Sequence, residues 1–161
     1  MGSPGFTLIH VIISIVGIVS GLVVVGGLLS ANRMPILTAI FLVFTILTSV
    51  TGFFFHDPHV TPGQIVGALS LVLLAIAVCA YYVFHLRGLW RLAYLGTAVA
   101  SLYLNCFVLV AQSSLKVPQF HAAAPNGTEP PFVITQAIVL LTFVVLGLLS
   151  LGRFHPEAET P

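Results

Sequence analysis

Charge is the scarcest component of this sequence. Its 161 residues include only five Lys and Arg and four Asp and Glu, 6% in all, where a soluble domain carries roughly a quarter. So few ions do not coat the water-facing surface of a chain this long. They form no basic patch either, which removes nucleic acid as a partner, since phosphate binding needs clustered Lys or Arg. Asp, Glu and Lys are missing from every long apolar stretch, and with the carboxylates go the usual parts of an ion-coupled pump or proton relay. There is no Walker loop, Gly-x-Ser-x-Gly elbow, His-Glu-x-x-His or Cys-x-x-Cys. Two cysteines, Cys79 and Cys106, fall at depths roughly 13 Å apart along their stretches, too far for a disulfide. Both read as small apolar packing residues.

What is present is hydrophobic. Apolar residues make up 58% of the chain and the mean hydropathy is +1.14. A helix needs about 20 apolar residues to cross a ~30 Å hydrocarbon core. Five stretches meet that length: 7–29, 36–55, 63–85, 89–113 and 132–151. The expected fold is therefore all-α, a single integral membrane bundle of five transmembrane helices over residues 1–151, with a long loop at 116–131 and a short tail at 152–161. The first stretch is too long for a signal h-region and lacks a basic flank, so it reads as a retained span. Phe6 stands where a myristoylation signal wants Ser or Thr, which sets that reading aside. No internal repeat is visible, and an odd span count does not divide into two inverted halves.

Short loops force neighbouring spans to run antiparallel. Arg33, Arg87, Arg91 and Arg153 then share one side, and Lys116 stands on the other. The positive-inside rule makes the arginine side cytoplasmic. The expectation is a multi-pass protein of a cell inner membrane, N-terminus outside and C-terminus in the cytoplasm, with membrane lipids as its surroundings. Asn126-Gly127-Thr128 in the long loop matches a glycosylation sequon on the outer side.

Polar residues inside spans report on the bundle interior, because lipid does not satisfy them. His10, Ser14, Gly17 and Gly21 recur on one face of the first span. Gly17 and Gly21 form a small-xxx-small pair suited to close helix approach, within the bundle or in a homo-oligomer. Thr38, Thr45 and Ser49 share a stripe in the second span, and Tyr94, Ser101, Asn105 and Gln112 one in the fourth. Ser14, Ser49 and Asn105 fall roughly 9–12 Å from the outer end of their spans, with His10, Gln112 and Gln136 shallower. Two readings stay open for this set: an interhelical hydrogen-bond network, or a polar vestibule for a small molecule, a quinone headgroup or an ion.

Six histidines outnumber the five Lys and Arg. His10, His56, His59 and His121 collect near the outer face and form a candidate metal set, imidazole being a suitable ligand for zinc, copper or iron. The alternative is solvated or capping histidines. Only His10 and His85 fall within spans, at opposite ends, so a transmembrane bis-histidine haem pair is not supported.

Thr48-Ser49-Val50-Thr51-Gly52-Phe53, the run from Tyr103-Leu104-Asn105 through Lys116-Val117-Pro118, and Glu129-Pro130-Pro131-Phe132 together resemble small multi-pass inner-membrane proteins of bacteria. That resemblance implies the location and carries no activity. The leading functional expectation is a non-enzymatic accessory or small-ligand-binding component, alone or as a subunit of a larger membrane complex. The competing expectations are a redox or metal-dependent enzyme with a His-lined outer site, and a small channel or facilitator lined by Ser14, Ser49 and Asn105.

Overall fold

The structure is a computed structural model that describes residues 3–55 and 59–155. His56, Asp57 and Pro58, and the tail from Pro156 to Pro161, lie outside the described residues. Within them the chain is helical: α1 (Pro4–Leu29), α2 (Pro35–Gly52), α3 (Pro62–Val78) continuing as a π-helical turn (Cys79–Val83), α4 (Leu89–Lys116), a short α5 (Pro118–Ala123) and α6 (Pro130–Arg153). Five of these helices, the third counted through Val83, are long and apolar enough to cross a membrane.

Proline sets most of the starts. α1, α2, α3, α5 and α6 all open on one, where the missing N–H has no intrahelical partner to lose. Caps complete two of these. The Ser3 hydroxyl accepts from Phe6 N–H at 3.3 Å. Thr61 and Gln64 form a reciprocal capping box at 3.0 and 3.2 Å. The apolar pattern alone places the first and last spans at residues 7 and 132; the prolines begin them at Pro4 and Pro130.

Helix ends differ for equally local reasons. α2 stops at Gly52, three residues short of the expected 55, and Phe53 and Phe54 form a turn. α4 runs on to Lys116, past the expected 113, until Pro118 stops it. The expected 116–131 loop contains α5.

α3 ends before His85, in a Schellman-like closure where Leu86 N–H donates to Ala80 O at 3.0 Å. This holds His85 and Leu86 at φ of 48° and 58°, a region that penalises a Cβ by roughly 1–2 kcal/mol. The Leu86 side chain is buried and compensates; the exposed His85 has no such return. His85→Gly is therefore expected to raise stability by up to about 1 kcal/mol, read as a higher unfolding midpoint in detergent.

α1 packs along α2, α2 on α3, α3 on α4, α4 on α6, and α6 returns to α1. α4 is the hub: it touches every other span and buries Tyr94, Leu95, Ala98, Leu102 and Asn105. The outside is a belt of exposed apolar side chains, among them Leu8, Ile12, Val19, Leu141 and Leu148, the last two 63% exposed. A water-soluble monomer does not present such a continuous apolar surface. The turns place Arg33, Arg87, Arg91 and Arg153 at one end of the bundle and Lys116 at the other.

At the lysine end, Glu129 organises the turn before α6. Its carboxylate accepts from Asn126 N–H, Asn126 Nδ2 (2.9 Å) and Thr128 N–H (3.0 Å). Desolvation pulls its pKa upward, but these donors and its own N–H outweigh it and hold the carboxyl below its ordinary 4.5. A depressed carboxyl pKa stabilises the turn above the unfolded value and loses that contribution as pH falls through the folded one. Protection of the Asn126 and Thr128 amides against exchange is expected to persist near pH 5, to disappear below the ordinary carboxylate range, and to lose this pH dependence in Glu129→Gln.

Candidate functional site

The α1–α2 contact is set by glycine. A Cβ on Gly17 would sit 3.2 Å from Thr45 Oγ1 and 3.4 Å from backbone atoms of Phe44 and Thr45; one on Gly21 would sit 2.6 Å from Leu102 Cδ1 and 2.8 Å from Phe41 Cδ2. Gly21, Phe41 and Leu102 therefore mark one level where α1, α2 and α4 meet. Towards the lysine end from there, Thr45 is four residues on along α2 and Asn105 three along α4, rises of about 6 and 4.5 Å. The two side chains thus share one level in the interior, and both are buried.

Thr45 Oγ1 and Asn105 Nδ2 are each buried with no hydrogen-bond partner. Gln136 adds a third such atom. Its Nε2 donates to Phe107 O on α4 at 3.1 Å, which puts it about 3 Å nearer the lysine end than Asn105, and its Oε1 is unpartnered. The hydroxyls nearer the surface behave otherwise: Ser14 donates to His10 O at 2.8 Å and Ser49 to Thr45 O at 3.0 Å, each bonding its own helix as span hydroxyls commonly do.

His10 closes the lysine end of the seam. Its Nδ1 lies 2.7 Å from Thr51 Oγ1, and the ring packs edge-on against Phe55, centroids 5.0 Å apart. The Thr51 hydroxyl also lies within hydrogen-bond distance of Leu47 O (2.7 Å) and Thr48 O (3.2 Å), and when it donates to either carbonyl its oxygen accepts from the Nδ1–H tautomer of His10. Gln112 is half-buried near the same end of α4. Of the six candidate ligand residues, Asn105 and Gln136 thus carry unpartnered polar atoms, Ser14 and Ser49 are tied to their own backbones, and His10 is engaged with α2.

The metal set is more dispersed. His56 lies outside the described residues, His59 is exposed ahead of α3, and His121 is exposed on α5. Among the described residues no three His, Cys, Asp or Glu side chains are placed to share a metal ion. Both cysteines are free.

Sequence reasoning placed the polar groups towards the outside. The arginine half holds some as well: Tyr94, Thr38 and Ser150 are all at most 2% exposed, with the Tyr94 hydroxyl beside the Thr38 side chain and Ser150 Oγ lacking a hydrogen-bond partner. Arg33 stacks over the Tyr81 ring, 6.0 Å from its centroid. Tyr94 was visible in the fourth-span stripe, but nothing in the sequence distinguishes a polar tip turned inward at that depth from one turned to the interface. Comparison with protein-family models, curated proteins and solved structures finds no match in any of the three, so the functional reading rests on the side chains just described.

Proposed function

We propose that this chain is a non-enzymatic multi-pass membrane protein that binds a small neutral ligand in the polar seam between α1, α2, α4 and α6, as an accessory component of its membrane. The resemblance noted above supports a bacterial inner membrane, and the arginine distribution supports a cytoplasmic arginine end. The observation that carries the binding reading is the pair of buried, unpartnered groups at one level, Asn105 Nδ2 and Thr45 Oγ1. An unmade hydrogen bond in an apolar interior costs roughly 1–3 kcal/mol, a deficit that a bound acceptor removes. Both groups can donate, and Lys, Arg, Asp and Glu are absent around them, so the fitting ligand is neutral and carries carbonyl oxygens. A quinone headgroup has that chemistry, and Gln136 Oε1 is available to a hydroxyl of its reduced form.

A short-chain benzoquinone is the direct probe. It is expected to raise the unfolding midpoint of the wild-type protein in nanodiscs. Asn105→Leu, which keeps the γ-branched shape but has no donors, is expected to bind it about tenfold more weakly, the loss associated with one good neutral hydrogen bond. Equal quinone binding by the two proteins, or none by either, rejects the reading and leaves the seam to buried water.

A further inference from the structure

The α4–α6 face carries a feature the seam does not use. Between these helices runs an apolar groove of about 320 Å³, open to the outside of the bundle and lined by Leu95, Gly96 and Tyr103 of α4 and Leu140, Gly147 and Leu151 of α6, among others. Its bore is made by missing side chains: a Cβ on Gly96 would meet nothing within 4 Å. From Leu95 to Tyr103 it extends about 12 Å along the helix axis, close to the depth of one leaflet of a ~30 Å core.

The arginine end of the groove is built differently from its walls. One turn beyond Leu95 is Arg91, whose guanidinium donates to Leu151 O at 3.3 Å and to Phe154 O at 2.5 Å, joining the two walls. Arg153 is exposed two residues beyond Leu151. The Arg91 partners are neutral carbonyls, and the one carboxylate among the described residues, Glu129, stands at the opposite end of α6. Trp90, stacked flat on Phe84 with centroids 3.8 Å apart, marks the headgroup level beside them, where amphipathic aromatics collect.

We infer that this groove is a site for an anionic phospholipid of the leaflet at the arginine end, one acyl chain lying in the α4–α6 slot and the phosphate resting against Arg91 and Arg153. Charge complementarity selects this occupant over a zwitterionic lipid or a second copy of the chain. Among the described residues the two guanidiniums face no carboxylate, which suits a net negative headgroup, and they offer nothing to another protomer's identical arginines.

The test uses the full chain in nanodiscs of mixed phosphatidylglycerol and phosphatidylcholine, with native mass spectrometry counting the lipids that remain bound. Phosphatidylglycerol is expected to be retained preferentially, roughly fivefold for each guanidinium near the headgroup. Arg153→Gln is expected to reduce that preference about fivefold. Gly96→Leu fills the slot from a position with open space and is expected to abolish retention of both lipids while keeping the wild-type unfolding midpoint in lipid-free detergent. Ala100→Leu is a second plug should the first variant fold poorly. Equal retention of the two lipids, or retention that survives either plug in a folded protein, overturns the inference. So does a wild-type dimer that carries no lipid and is lost on plugging, since that seats a second copy in the groove.

Discussion

Gly21→Leu is expected to prevent α1 from seating in the bundle. A single added methyl at Gly21 already falls 2.6 Å from Leu102 Cδ1 and 2.8 and 2.9 Å from Phe41 Cδ2 and Cε2. These are side-chain atoms, so in a loose site they would turn away. Here Leu102 is 0% and Phe41 1% exposed, so either would have to turn against the buried side chains around it. Overpacking a filled interior costs typically about 1–3 kcal/mol, the range expected for Gly21→Ala. Leucine adds three more carbons and exceeds what rotamer changes absorb. Lipid tails are as apolar as these side chains, so helix association rests largely on contact quality, and losing the close approach removes its main source. In detergent, Gly21→Ala is expected to lower the unfolding midpoint, and Gly21→Leu to give a protein without a cooperative transition. Gly26→Ala, with nothing within 4 Å of its Cβ, serves as the control and is expected to stay near wild type. If Leu102 is the obstacle, Leu102→Ala and Gly21→Ala together are less damaging than their separate effects imply, a coupling that a double-mutant cycle measures. A Gly21→Leu protein as stable as wild type would show that α1 does not lie on Phe41 and Leu102.

The Gly17–Gly21 face was legible in the sequence because small residues four apart in an apolar stretch have one strong physical use. Which helices they would admit was not legible, since the spacing does not encode a partner. The span count followed from hydropathy, and the antiparallel order from loop length. The ends were read less well. Hydropathy marks where lipid begins, whereas helices begin where a proline or a capping side chain permits, as at Pro4, Thr61 and Pro130. The π-turn at Cys79–Val83 and the left-handed His85 and Leu86 have no sequence signal, because neither position carries glycine.

The candidate seam was legible only in part, for a related reason. Helical periodicity placed Ser49, Asn105 and Ser14 on inward faces at compatible depths, and all three are buried. Periodicity does not say whether a hydroxyl bonds its own helix. Ser14 and Ser49 do so, and Thr45, grouped with Ser49 in one stripe, is left without a partner. The difference lies in close packing: Thr45 Oγ1 lies 3.2 Å from the position a Gly17 Cβ would take, a contact that depends on the three-dimensional approach of two helices. The groove between α4 and α6 was hidden more deeply. Gly96, Gly147 and Arg153 are unremarkable until antiparallel packing lays them along one slot.

Arg91→Ala is expected to free the end of α6. The guanidinium serves the last turn of that helix by donating to Leu151 O and Phe154 O, carbonyls with no further helical N–H to meet. A cation at a helix C-terminus also complements the helix dipole. Hydrogen bonds to a charged group contribute about 1.5–3 kcal/mol each where they are sheltered. Arg91 is half-buried, so the net loss from removing both is expected to be about 2–3 kcal/mol, near the lower end for the pair. The anchor is not the arginine alone, because Phe154 is 1% exposed and stays attracted to the interior once the bonds are gone. Local fraying therefore precedes global unfolding, and the amides of Phe154 and His155 lose exchange protection while those of α2 keep theirs. Trp90 is the only tryptophan in the chain and adjoins Arg91, so its fluorescence reports the change without a label. Arg91→Lys separates the two contributions: it keeps the charge near the helix terminus, but its ammonium ends one bond short of Nη1, the atom that donates to both carbonyls, and an intermediate loss is expected. If Arg91→Ala leaves both the exchange pattern and the unfolding midpoint unchanged, Phe154 alone holds the helix end and the guanidinium bonds contribute nothing to it.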